Sequence, residues 1–241
     1  MKYSLTTLAA VAPQMGLALV GNSWSFSGSP RNGLRDITFP FNMAGAAHDS
    51  GYYFAQQFSF IGIPEVSYCG IQNRPNVHGK SIVHGVFSTF QGGATTTDKN
   101  CHLGADYGPG VSCAVDFVGD YKHTYNIVVR HRNDTTWTGT AVDTVTGHAV
   151  HIGSFTLPSD AGGIDAGGQM GFVEYFPWNG GTHKCSDLPK NTVTMYSPTS
   201  KTAKAGKGTM DQPYEYGDCV GQVDFSTSAA GSNGWKIAVG F

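Results

Sequence analysis

The chain has 241 residues and a formal net charge of −2, and its 33 glycines and 12% aromatic residues stand beside only 13% charged ones. This is too aromatic and too sparsely charged for a disordered chain, and no basic face is dense enough to engage nucleic acid. It suits short strands joined by tight turns around an aromatic core, in a domain of a size common for all-β folds.

Lys2, an apolar stretch and the small residues Gly16 and Ala18 read as a secretory signal peptide over residues 1–18, with cleavage after Ala18 or Gly21. Pro13 interrupts the apolar run, and the competing reading is a buried N-terminal helix. A membrane anchor would need about 20 uninterrupted apolar residues, and the sequence contains no such run. The remainder, residues 23–241, reads as one domain.

Period-two alternation then dominates, as expected of strands with one buried face. Tyr52 to Phe58, Val66 to Gln72 and Ser81 to Phe90 are the first three runs, the last with Ile82, His84, Val86, Ser88 and Phe90 on one side. Tyr121 to Arg132 is the clearest strand. Tyr125, Ile127 and Val129 share one of its faces, and Thr124, Asn126 and Arg130 the other. Asn133-Asp134 turns the chain into Thr135 to Asp143, followed by His148 to Leu157, Gln169 to Trp178 and a closing strand Trp235 to Phe241. No stretch sustains a helical apolar period. The fold expected is an all-β, two-sheet antiparallel sandwich of jelly-roll or concanavalin-like type.

Five cysteines follow the signal-like segment, and none forms a Cys-x-x-Cys pair, which argues against zinc and thioredoxin-like chemistry. An exported chain favours disulfides, and proximity in sequence pairs Cys101 with Cys113 and Cys185 with Cys219. Cys69 lies inside an apolar strand and is expected to be a buried free thiol. Asn133-Asp134-Thr135 is a glycosylation sequon at a hairpin tip, consistent with a secreted, extracellular protein.

Three groups of segments together carry a family resemblance. The first is Gly51-Tyr52-Tyr53-Phe54, with Phe58-Ser59-Phe60 and Tyr68-Cys69-Gly70-Ile71-Gln72. The second is Gly108-Pro109-Gly110-Val111, leading to His123 through Arg130. The third is Gly171-Phe172-Val173-Glu174-Tyr175-Phe176, with Leu188-Pro189-Lys190-Asn191 after it. Together, over residues 50 to 196, they resemble the secreted family called domain of unknown function 3472. Cys69 and the loop Asn73 to Lys80 depart from its pattern. The resemblance implies a β-sandwich often found beside polysaccharide-active modules, and it brings no established catalytic residues.

Glu174 alternates between Phe172 and Phe176, with Trp178 next along. It is either the structural partner of a buried arginine such as Arg130, or an acid–base group on the floor of an aromatic-lined cleft. Flanking rings would raise its pKa and a neighbouring arginine would lower it. Glycoside hydrolysis usually needs a second carboxylate facing the same bond, and none stands at a recognisable spacing. No His-x-His pair suggests a metal and no Gly-x-Ser-x-Gly elbow suggests a serine hydrolase, so no metal or cofactor is expected. Rings that stack on sugars, with amides and guanidinium that read hydroxyls, mark Tyr53, Gln57, Gln72, Arg130, Glu174 and Trp178 as a carbohydrate-binding set. Core packing is the bland alternative for each ring. The function expected is polysaccharide binding, with or without action on the polymer. The alternatives are a polysaccharide lyase or glycoside hydrolase, and a non-catalytic secreted effector that binds another protein.

Overall fold

The computed structural model describes residues 18–180 and 183–241. The expected signal segment lies, up to residue 17, outside the described residues. The strands of the first half are β1 (Ala18–Phe26), β2 (Asp36–Asn42), β3 (Tyr52–Ser59), β4 (Val66–Asn73), β5 (Ile82–Thr89), β6 (Cys101–Ala105) and β7 (Gly108–Val118). The next four are β8 (Thr124–His131), β9 (Thr136–Asp143), β10 (Ala149–Thr156) and β11 (Gln169–Tyr175). The last are β12 (Asn191–Tyr196), β13 (Gly208–Met210), β14 (Tyr214–Glu215), β15 (Phe225–Ala229) and β16 (Gly234–Val239). Helix among the described residues is confined to two short 3-10 turns, Phe176–Gly180 and Cys185–Asp187.

These strands form the expected antiparallel sandwich. The larger sheet runs β13-β1-β11-β3-β4-β5-β7-β6, with β14 also on β1, and the smaller runs β10-β9-β8-β2-β12-β16-β15. The sandwich begins at β1 rather than at residue 23. Leu19 and Val20 are buried, and Val20 and Gly21 pair with both β11 and β14. Cleavage after Gly21 would remove that pairing and the buried Leu19 and Val20.

Alternation selects the core. Phe54 and Phe58 of β3, Ile71 of β4 and Phe87 of β5 point inward and meet Phe39, Ile127, Trp137 and Phe155 of the other sheet in one cluster. Cross-sheet ring contacts fix the register of the layers: Trp24 on Phe39 at 5.1 Å, Phe60 on Trp137 at 4.8 Å and Phe87 on Phe155 at 4.4 Å between centroids. Each such buried side chain contributes roughly 1.5–3 kcal/mol of transfer free energy. Gly139 of β9 and Gly153 of β10 let the layers close: a Cβ at Gly139 would stand 2.6 Å from the Phe87 ring, and one at Gly153 2.4 Å from Cys113 Cβ.

Both expected disulfides form. Cys101–Cys113 joins direct cross-strand partners of β6 and β7, and Cys185–Cys219 ties the second 3-10 turn to the segment after β14. Cys69 is free and buried, and burial pushes its thiol pKa well up.

The smaller sheet keeps a polar outer face, with Thr136 bonded to Thr156 at 2.7 Å and Thr138 to Ser154 at 3.1 Å. At the end of β9, Asp143 is bonded to His123 Nδ1 at 2.8 Å and accepts from the backbone N–H of Val145 and Thr146. Burial alone would raise this carboxyl, but those bonds override it and hold the pKa at about 2. A carboxyl depressed from its unfolded value of about 3.9 adds stability above that value and loses it as pH falls through the folded pKa. The difference in melting temperature between wild type and Asp143→Asn should therefore shrink between about pH 4 and pH 2. Calorimetry across that window tests this, and a pH-independent difference would contradict it.

Candidate functional site on the outer face of the larger sheet

The apolar positions of β3 that fill the core force Tyr53, Ala55 and Gln57 onto the outer face of the larger sheet. Register carries three rows across it. The first is Glu174, Tyr53, Gln72, His84 and Asp116, on β11, β3, β4, β5 and β7. The middle row, Phe172, Ala55, Gly70, Val86 and Ala114, is mostly small. Gly70 is required there, because a Cβ would fall 2.0 Å from the Phe54 carbonyl oxygen. The third row is Gln57, Tyr68, Ser88, Ser112 and His102. Tyr53 and Tyr68 pack with Ala55, Val86, Phe90, Phe172 and Phe176 into an apolar patch separate from the main core.

Glu174 is only 9% exposed. Its Oε1 accepts a 2.6 Å bond from Asn179 Nδ2, supplied by the 3-10 turn that ends β11. Burial raises its pKa, the Asn179 bond opposes that, and the charge of Asp106 adds to it. Asp106 sits at the tip of the β6–β7 hairpin with φ 45°, followed by Tyr107 at φ 65°. Tyr68 Oη donates to Asp106 Oδ2 at 3.2 Å, which brings a second carboxylate to the face. Tyr53 is 5% exposed, and burial raises its phenol pKa well above 10. Tyr53 Oη and Gln72 Oε1 are buried without a hydrogen-bond partner among the described residues. His84 Nδ1 lies 2.7 Å from Asp116 Oδ1.

Of the carbohydrate-binding set expected from sequence, Tyr53, Gln57, Gln72 and Glu174 share this face. Arg130 does not join them. It lies exposed on β8 of the other sheet, opposite Asp36 and Thr138, so no ion pair with Glu174 forms. Trp178 also departs: the 3-10 turn breaks the alternation after Tyr175 and carries the indole into the main core, stacked on His183 at 4.5 Å. Sequence reading missed Asn179 and Asp106 as site residues. The first is hidden by the same turn. The second is reachable only through the hairpin that Gly104 and Gly108 frame. No group of three or more His, Cys, Asp or Glu among the described residues could hold a metal ion.

No family model matches the chain, and no curated protein does. Solved structures do. Scytalido-glutamic peptidase bound to a transition state analog inhibitor is 13% identical with a TM-score of 0.46, covering 93% of this chain and 98% of that one. SCP-B, an eqolisin-family peptidase in complex with the tripeptide Ala-Ile-His, is 12% identical with a TM-score of 0.44 over the same shares. The enzymatically active domain of bacteriophage CBA120 tailspike protein 2 is 11% identical, with a TM-score of 0.33 over 80% of this chain and 24% of that one. All three similarities are distant, and what this chain does rests on the residues of its own outer face.

Proposed function

We propose that the chain is a secreted hydrolase that cleaves a peptide bond in an extended polypeptide lying on the outer face of the larger sheet. Glu174 is its acid–base group and the Gln72 side-chain amide its oxyanion donor. The observation that carries this reading is the first row. Glu174 and Gln72 flank Tyr53 there, and Tyr53 Oη and Gln72 Oε1 are buried without hydrogen-bond partners among the described residues. Such orphaned groups are rare in native interiors, and a bound substrate carbonyl would accept from the Tyr53 hydroxyl. Two strand spacings separate the backbones of Glu174 and Gln72 by about 10 Å, close enough for both side chains to reach one carbonyl group.

The chemistry is a single proton cycle. The Glu174 carboxylate takes a proton from water as the oxygen attacks the carbonyl carbon. The Gln72 N–H donates to the oxyanion that forms. Glu174 then returns the proton to the leaving nitrogen as the C–N bond breaks, releasing a carboxylic acid and an amine. A carboxyl pKa raised by burial suits both halves of that cycle, because base and acid strength are balanced near the working pH.

Polysaccharide binding or cleavage is the second reading, and Asp106 is the observation that favours it. Glycoside hydrolysis needs two carboxyl groups, and the hairpin tip brings this one to the same aromatic face as Glu174. Export fits both readings, through the two disulfides and through Asn133, exposed in the β8–β9 turn where a glycan would meet no packing. The test is to incubate the protein with a denatured protein substrate and with a polysaccharide panel from pH 3 to 7, then identify products by mass spectrometry. New peptide termini are expected. New reducing ends would favour the second reading, and no product from either would count against both hydrolase readings.

A further inference from the structure

The hydrolase reading leaves unexplained what fixes the Gln72 amide so that its N–H, rather than its oxygen, faces Glu174. The first row supplies an answer one strand further on. Gln72 and His84 are direct cross-strand partners on the same face, so their Cβ atoms lie about 4.5–5.5 Å apart. His84 is held from its far side, with Nδ1 2.7 Å from Asp116 Oδ1. A carboxylate there makes Nδ1 the N–H of the neutral ring. Nε2 of that ring is then an acceptor, and becomes a donor only when the imidazole takes its second proton. Among the described residues no partner is bonded to Nε2, while Gln72 Oε1 is a buried acceptor without a donor.

We propose that His84 is a positioning residue: when doubly protonated it donates from Nε2 to Gln72 Oε1 and turns the Gln72 amide N–H toward Tyr53 and Glu174. The neutral ring cannot make this bond, and repels the carboxamide oxygen instead. The device is therefore an acid-dependent latch on the oxyanion donor, and it deepens the hydrolase reading on which it rests. The charged and titratable groups that act on His84 are Asp116 from β7 and Arg74 at the end of β4. Tyr121 packs beside Arg74, its hydroxyl accepting from the Arg74 backbone N–H at 2.8 Å and donating to the Ile82 carbonyl at 2.8 Å. Burial and the Arg74 charge lower the His84 pKa, against the opposing pull of Asp116. The second proton consequently arrives only on the acid side of an ordinary histidine. Combined with a Glu174 that must start as carboxylate, this gives a bell-shaped rate profile in the acid range, its alkaline limb set by His84.

The experiment follows the side-chain amide of Gln72 by nuclear magnetic resonance in nitrogen-15-labelled protein, assigned by its loss in Gln72→Glu, from pH 4 to 8. The amide is expected to shift with the same midpoint as the His84 ring, to lose that titration in His84→Phe, and to move to a lower midpoint in Asp116→Asn. An amide that ignores the His84 midpoint, or titrates unchanged in His84→Phe, overturns the proposal. The kinetic counterpart is a kcat lowered about tenfold or more in His84→Phe, with KM unchanged and the alkaline limb lost. A coupled amide in a protein that cleaves nothing would remove the hydrolase reading and leave the contact standing, so the two failures are distinguishable.

Discussion

Glu174→Gln should retain less than about a thousandth of wild-type turnover, near the upper range for loss of an acid–base group, yet unfold no more readily than wild type at pH 7. The first half follows from the proton cycle, since a carboxamide can neither take a proton from water nor return one. The second follows from the sign of the pKa shift. Glu174 is raised, so the folded chain holds this proton more tightly than the unfolded chain. Stability is then lost as pH rises from the unfolded value of about 4.3 through the folded one. Glutamine removes that liability and keeps an Oε1 for the Asn179 Nδ2 donor. Relative to wild type, the variant should be equally or more stable at pH 7, with any advantage fading below about pH 4. An ion pair with Arg130 would have reversed this result, because breaking a buried pair costs about 3–5 kcal/mol. Melting curves at pH 4 and 7, beside kcat, decide the matter: retained turnover or a large stability loss would remove Glu174 from the chemistry.

Phe87→Ala should cost about 3–5 kcal/mol, as large-to-small changes at fully buried rings do, and lower the melting temperature by roughly 10 °C. The ring is fully buried, stacks on Phe155 across the sandwich and fills the space that Gly139 leaves open. Gly139→Val should be destabilising for the opposite reason, since its branched side chain would enter the Phe87 ring, and overpacking costs about 1–3 kcal/mol. The double variant should be more stable than the sum of the two losses implies, because the valine would occupy part of the cavity. Denaturant unfolding of the three variants tests the contact. Strict additivity would show that the two positions do not share that space.

Much of the sandwich was legible because alternation is a local property. His84, Val86 and Ser88 lie on one face of β5, and Tyr125, Ile127 and Val129 on one face of β8, as the residues alone imply. Some strands were overlooked: β2 alternates cleanly, with Ile37, Phe39 and Phe41 buried, but it is short and carries Pro40. β1 opens on a run of buried residues, Leu19 to Asn22, before any alternation, and β7 carries Pro109, Gly110 and small residues in place of a clean alternation. The site was legible only within a strand. Sequence sets Tyr53 and Glu174 each on a definite face, but which strands become neighbours is decided by long-range pairing. For that reason Arg130, equally well alternated, was placed beside Glu174 although its strand belongs to the other sheet. Gly139 and Gly153 read as weak strand positions, whereas their role lies in what approaches them from the opposite layer.

The pairing of β1 with β11 joins residues separated by about 150 positions, a closure that slows folding because loop entropy is lost before the contacts repay it. β11 also lies between β1 and β3, so Glu174 reaches Tyr53 and Gln72 only once that strand has been inserted. During synthesis the ribosome releases some 170 residues before the carboxyl group exists at all. If the chain is the proposed hydrolase, a nascent chain carries the floor of the face without its acid–base group, and so is expected not to attack its neighbours while it is being made. On that reading competence comes with the insertion of β11, while β13 and β14 of the same sheet are still to be made.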